Sequence, residues 1–196
     1  MSSLRETKKI QTRQSIITAA QQLFDQAGYK ETTLADIAHD ANVSPRTIFS
    51  YFASKESILF YEVDQIISEL SAALSERADK GVITVIREFA AYMQDHDNTS
   101  DEVAMQRHCM IQENDDLKKY TAQIGDQLEE VLLKAFADEL KLPADALEPK
   151  LAAAVMRSAL EFIRRSGHDS MGRERARQYL DKTLTFTEAG LRSLSE

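Results

Sequence analysis

One stretch constrains this chain more than any other: TTLADIAHDANVSPRTIFSYFASKE, from Thr32 to Glu56. It contains two short helical patterns separated by three residues, followed by a third helix start. The first pattern opens at Thr33, whose hydroxyl can accept from the free N–H groups of a helix start. Asp36, three residues on, supplies the reciprocal carboxylate. Leu34, Ile37 and Ala38 then share one helical face. Ala41, Asn42 and Val43 form the turn, with Asn42 where the backbone must turn left-handed, a conformation that glycine tolerates best and asparagine next. Ser44 caps the second helix. Pro45 takes its first position, where the missing N–H costs nothing and φ is already helical. Such a run specifies a helix-turn-helix.

In the second helix, Ile48 and Phe52 lie four residues apart and point back at Leu34, Ile37 and Ala38. Arg46, Thr47, Phe49, Ser50 and Tyr51 are left for the remaining surface. Phe49 is equally compatible with a core and a surface role, whereas Tyr51 fits the surface better. From Ser44 to Lys55 the only charges are Arg46 and Lys55, both positive, in a chain of net charge −8. A local cationic spot on an acidic protein suits a phosphate-bearing partner. Residues 1–60 carry a net +1 and the rest −9, so the two regions face different partners.

The run TTLADIAHDANVSPRTIFSYFASKESIL, behind a helix ending LFDQAGY, resembles the DNA-binding domain of the TetR (tetracycline repressor) family of bacterial regulators. The ordered signals LF…GY, TT…IA, VS, YF and SKE carry the resemblance, which covers roughly the first third of the chain. It implies an all-α fold, with a three-helix helix-turn-helix domain over residues 1–54 and a long connecting helix over about 55–78. A larger helical domain for effector binding and dimerisation follows over 79–196. It also implies roles toward duplex DNA. Arg46 would read a base edge or phosphate, and Thr47 and Ser50 would contact bases or backbone. Phe49 and Tyr51 would meet thymine methyls and phosphate, while Thr33, Ser44 and Lys55 anchor phosphates beside Pro45. The first helix would pack beneath the motif, with Lys8, Lys9 and Arg13 near the minor groove or backbone. A ligand in the C-terminal bundle would tilt the connecting helix and change the spacing of two recognition helices.

The remaining sequence reads as helices. Pro (3) and Gly (6) are scarce and β-branched alternation is absent. The spacing predicts a helix from about Gln11, with Ile16, Ala20, Leu23, Phe24 and Ala27 as its stripe and Gly28 as its stop. Later helices are expected over 55–78, 82–93, from 101, 115–140, 149–166 and 173–194, with a polar loop at 95–100 and a loop bracketed by Pro143 and Pro149. Cys109 is the only cysteine, so no internal disulfide framework exists, which fits a reducing cytoplasm. No apolar run reaches membrane-spanning length and no signal peptide opens the chain, so a cytoplasmic location and no membrane partner are expected.

The small residues of the 149–166 segment let another helix approach. Because one short recognition helix makes few base contacts, a two-fold dimer is expected to double them. Leu151, Val155, Ser158, Ala159, Phe162, Leu180, Leu184 and Leu191 are the interface candidates. Phe89, Met93, Met105, His108, Cys109, Tyr120, Ile124 and Phe162 are candidates for lining an effector pocket, with plain core packing as the competing reading.

No HExxH, Gly-rich phosphate loop or GxSxG occurs, so no catalytic residue, metal or cofactor is expected. His108 and Cys109 are neighbours on a helix and point about a quarter turn apart, which suits neither a metal pair nor a nucleophile and its base. The expectation is a ligand-responsive, sequence-specific DNA-binding regulator, most simply a repressor of a palindromic operator. The rival readings are a helical adaptor whose motif contacts protein, and a small helical enzyme using His108 and Cys109.

Overall fold

The structure, a computed structural model, describes residues 4–96, 101–166 and 172–194. Among these the regular elements are all helical: α1 Leu4–Ala27, α2 Leu34–Asp40, α3 Pro45–Tyr51, α4 Lys55–Leu59, α5 Tyr61–Ser75, α6 Val82–His96, α7 Asp101–Gln112, α8 Asp115–Leu140, α9 Leu147–Ser166 and α10 Gly172–Leu194. The fold is all-α, as the sequence requires. The chain divides into two compact units, residues 1–65 and 66–196, with the boundary inside α5.

In the N-terminal unit α1 packs on α2 and α4, and α2 packs on α3. Ile16, Ala20, Ile37 and Ile48 have no accessible surface, and Ile17, Phe24, Ala38 and Phe52 close the core around them. Burying each large aliphatic side chain contributes about 1.5–3 kcal/mol. α1 begins at Leu4 rather than near Gln11, since the charged residues before Gln11 include no helix breaker. Its inner face also differs from the expected stripe: Ile17 and Ala19 are buried while Ala27 is exposed. Gly28, at φ 91°, ends the helix, its N–H bonded to the Phe24 carbonyl at 3.1 Å.

The expected continuous helix over 55–78 is two helices, broken at Phe60 and ending at Ser75. Ile58, Leu59 and Phe60 are all buried, yet consecutive residues of a regular helix sweep about 100° each, too wide an arc for one stripe. Phe60, at φ −97° and ψ 8°, lets all three turn inward. The backbone bonds Phe60 to Glu56 and Asp64 to Phe60 still form, at 2.9 and 3.0 Å, so the ladder is bent and not abandoned.

In the C-terminal unit α9 packs on both α8 and α10, α7 packs on α8, and α6 meets α8 and α10. Val82, Leu117, Leu132, Phe136, Ala153 and Met156 are completely buried. Two consecutive acids at the end of α8 tie other elements to it: Asp138 pairs with Arg77, and Glu139 accepts the N–H of Val82 at the start of α6. The Arg77 guanidinium also donates to the carbonyls of Leu74 at 2.7 Å and Ala135 at 3.3 Å. Gly125 lies where Arg157 crosses α8 to reach Asp126 and Glu129. A Cβ there would stand 3.1 Å from the guanidinium. The expected polar loop at 95–100 differs in part, because α6 continues through His96, and residues 97–100 lie outside the described residues. α9 starts at Leu147, which places Pro149 in its first turn, where a proline removes no helical hydrogen bond.

Candidate nucleic-acid interface

The helix-turn-helix is built by contacts three or four residues long. Thr33 and Asp36 form a complete capping box. The Asp36 N–H donates to the Thr33 hydroxyl at 3.2 Å, and the Thr33 N–H donates to the Asp36 carboxylate at 2.9 Å. The Thr33 hydroxyl, which also donates to the Asp36 carboxylate at 2.6 Å, and the Thr33 N–H hold this exposed carboxyl below its usual range. Asn42 takes φ 53°, and the Val43 N–H closes the end of α2 on the Ala38 carbonyl at 2.9 Å. Ser44 accepts the Thr47 N–H at 3.0 Å, with Pro45 in the first turn.

These caps fix α3 so that Ile48 is buried while its other side faces outward. Ser44, Pro45, Arg46, Phe49 and Ser50 are exposed, and Thr47 and Tyr51 are half-buried. The Phe49 side chain is 61 % exposed, which excludes the core role. Arg46 has no carboxylate partner among the described residues. The Ser50 hydroxyl donates to the Thr47 carbonyl at 2.6 Å, and Ser44 and Thr47 hydroxyls share a 2.8 Å hydrogen bond. A cation, an aromatic face and rotatable hydroxyls on one rigid turn-and-a-half can engage phosphates, base edges and thymine methyls.

Lys55 stands differently from the rest. Its ammonium donates to the carbonyls of Tyr29 and Thr32, the latter at 2.8 Å, and lies 4.0 Å from the Tyr29 ring centre. Burial lowers its pKa. Two of its three N–H donors thus close the α1–α2 turn onto the start of α4. The resemblance implied a phosphate-anchoring role for Lys55, and in the structure two of its N–H groups are held by backbone carbonyls. Beside it the Tyr29 hydroxyl donates to Glu56.

Sequence reasoning missed the Tyr29 side of this cluster, since nothing in residue spacing couples positions 29 and 55. It also gave Arg13 a place in a basic arm. Its guanidinium instead lies 5.9 Å from the Tyr51 ring centre and 5.4 Å from that of Tyr61, and donates to the Tyr61 hydroxyl at 3.2 Å. Lys8 and Lys9 are exposed on α1.

The pocket candidates differ in burial. Ile124 is buried, and Phe89 is partly buried against the C-terminal core. Met93, His108 and Tyr120 are intermediate, while Met105, Cys109 and Phe162 are exposed. Among the described residues no group of His, Cys, Asp or Glu is placed to hold a metal ion.

The interface candidates divide sharply. Leu151, Ser158 and Phe162 are exposed on α9, with Val155 and Ala159 half-buried between them. Leu184, at 1 %, and Leu191, at 8 %, lie in the unit's own core with Leu180 packed against it, so neither can line an outer face. The apolar outer face of α10 is Tyr179 and Phe186, seven residues apart and 39 % and 70 % exposed. Tyr179 meets Phe162 edge-on, with ring centres 5.9 Å apart. α10 carries two apolar stripes, and the one with Leu180, Leu184 and Leu191 turns to the unit's own core.

The fold and this surface define a class: an all-helical protein with an N-terminal helix-turn-helix unit and a larger helical C-terminal unit. Residues 16–61, within the N-terminal unit, match the family model described as bacterial regulatory proteins, tetR family. The chain is 40 % identical over 74 residues to the HTH-type transcriptional regulator TcmR of Streptomyces glaucescens, covering 38 % of this chain and 33 % of that protein. It spans about a third of the length of the curated relatives it matches. Solved structures share the whole fold. One is Thermus thermophilus FadR, described as a TetR-family transcriptional repressor in complex with lauroyl-CoA (TM-score 0.60, 20 % identity, 89 % of this chain and 92 % of that one). Another is SmeT, the repressor of the Stenotrophomonas maltophilia multidrug efflux pump SmeDEF (TM-score 0.61, 16 % identity, 91 % and 89 %).

Proposed function

We propose that this chain is a ligand-responsive, sequence-specific DNA-binding transcriptional regulator, a cytoplasmic homodimeric repressor released from its operator by a small molecule. The observation that carries the reading is the outward side of α3, where Arg46, Phe49 and Ser50 are exposed on a helix held by caps at Ser44 and Asn42. Phe49 and Arg46 leave one apolar and one cationic contact open on the same short helix. The grooves of duplex DNA supply both a phosphate or guanine edge and an apolar methyl. Thr33, Ser44, Thr47 and Tyr51 border this surface and complete the contact set.

The exposed face of α9 and α10, with Leu151, Ser158, Phe162, Tyr179 and Phe186, is the dimerisation surface in this reading. A second copy brings a second recognition helix to a half-site one helical turn away. The effector binds in the C-terminal unit, and it shifts operator affinity only to the extent that it prefers one state of the protein. The lauroyl-CoA bound to FadR, and the triclosan in a SmeT complex, support a small organic ligand. No helix of the described residues is long and apolar enough to cross a membrane.

The test is selection of preferred duplexes from random DNA by the purified chain, followed by gel shift of wild type, Arg46→Ala and Phe49→Ala. A selected palindrome, with losses of about 1–3 kcal/mol for each variant, is expected. Absence of any salt-dependent DNA binding would leave a protein-contacting adaptor, and turnover dependent on His108 or Cys109 would leave an enzyme.

A further inference from the structure

We infer that Arg13, on the first helix, is a positioning residue for DNA binding: it fixes the Tyr51 ring at the edge of the recognition helix before DNA arrives. The inference rests on the DNA-binding reading above and deepens it. Tyr51 is the last residue of α3, so no further turn of that helix covers its ring. What meets the ring is the Arg13 guanidinium, 5.9 Å from its centre. The same guanidinium is held from the other direction by Tyr61, through a 3.2 Å hydrogen bond and its ring face at 5.4 Å. Tyr61 in turn is fixed edge-on by the buried Phe52, with centres 5.7 Å apart. A chain of contacts therefore runs from the core at Phe52 through Tyr61 and Arg13 to Tyr51, all within the N-terminal unit.

The chemistry of Arg13 favours positioning over direct phosphate contact. Its Nε is buried and has no hydrogen-bond partner, and among the described residues no carboxylate pairs with the side chain. A cation half removed from water without an anion is held by what the ring faces supply, the negative side of the aromatic quadrupole. Only arginine offers a flat cation that can meet two rings and a hydroxyl at once. Among the described residues the Tyr51 hydroxyl makes no hydrogen bond, so it remains available to a phosphate oxygen. Ordering its ring in advance removes a rotamer cost that binding would otherwise meet.

The experiment measures dissociation constants and their salt dependence on the duplex that the wild-type chain selects, for Arg13→Met, Tyr51→Phe, Tyr61→Phe and the Arg13→Met/Tyr51→Phe double variant, with helical content checked by circular dichroism. Arg13→Met is expected to weaken binding about tenfold and Tyr61→Phe, which leaves every charge in place, about threefold. The double variant is expected to bind no worse than the weaker single one, because a tyrosine without its hydroxyl has nothing left to position. The slope of log K against log salt is expected to stay unchanged in Tyr61→Phe, and to change in Arg13→Met by well under the roughly 0.9 of one lost phosphate contact. Fully additive losses with a slope change of about 0.9 would make Arg13 a phosphate ligand and overturn the inference. So would unchanged affinity in Tyr61→Phe and Arg13→Met while Arg46→Ala still weakens binding. If the wild-type chain selects no DNA, the DNA-binding reading itself fails. If Arg13→Met does not fold, Tyr61→Phe and Tyr51→Phe decide alone: unchanged binding in either overturns the inference.

Discussion

The Lys55 ammonium lies over the Tyr29 ring and donates to the Tyr29 carbonyl, so a residue expected to face DNA is spent on closing the N-terminal unit. Charged hydrogen bonds of this kind contribute about 1.5–3 kcal/mol each when one partner is deleted, and this lysine is only partly buried, so the lower end applies. Lys55→Met is expected to cost about 1–2 kcal/mol in urea unfolding followed by tyrosine fluorescence. Its operator affinity should fall with no change in salt slope. A slope reduced by about 0.9 would return Lys55 to the phosphate contacts.

Two carboxylates tie the same unit to pH. Asp36 is held below its ordinary 3.8 by hydrogen bonds from the Thr33 side chain and backbone. For Glu56 burial opposes the charge, but the Tyr29 hydroxyl, Ser54, its own backbone and Lys55 outweigh it, leaving it below 4.5. A depressed carboxyl pKa gives stability that is fully present above the unfolded value and is lost as pH falls through the folded one. The N-terminal unit is therefore expected to keep its stability from neutrality down to about pH 4.5 and to lose it below. In Asp36→Asn and Glu56→Gln the acid loss should be shallower, as followed by thermal melts across that range.

In the C-terminal unit the Glu139 carboxylate caps the first N–H of α6 at Val82. Glu139→Ala is expected to destabilise this unit by about 0.5–2 kcal/mol, the usual cost of a lost cap. Arg77→Met, which strips donors from Leu74, Ala135 and Asp138, should cost at least as much. Neither change should alter the pH profile of the N-terminal unit, and calorimetry that resolves the two units would check this.

The two stripes of α10 make opposite predictions. Leu184→Ala opens a cavity in a core site with 1 % exposure and should cost about 2–5 kcal/mol of stability. Phe186→Glu, on a side chain 70 % exposed, should leave the melting temperature of the subunit nearly unchanged while shifting sedimentation from dimer to monomer. Operator binding should weaken steeply with it. A dimer that persists in both Phe186→Glu and Phe162→Glu would place the interface elsewhere.

The helix-turn-helix was legible in the sequence almost residue for residue. Thr33 with Asp36, Asn42 at the turn, and Ser44 with Pro45 act through bonds spanning at most a few residues, so identity and spacing suffice to specify them. The all-helical class was legible for the same reason. The outward placement of Arg46 followed from where Ile48 and Phe52 had to point, whereas that of Phe49 was open until the structure exposed it.

What the sequence by itself determined about this protein is its local grammar: where helices start and stop, and which side of α3 is left for a partner. Tertiary structure alone decided that Phe60 breaks the rod, that Lys55 and Arg13 spend their charge on Tyr29, Tyr51 and Tyr61, and that the leucines of α10 turn inward while Phe186 turns out. The reason is one of range. A cap or a turn is satisfied by neighbours along the chain. The facing of an apolar stripe and the partner of a long cation depend on residues tens of positions away, which periodicity cannot reveal.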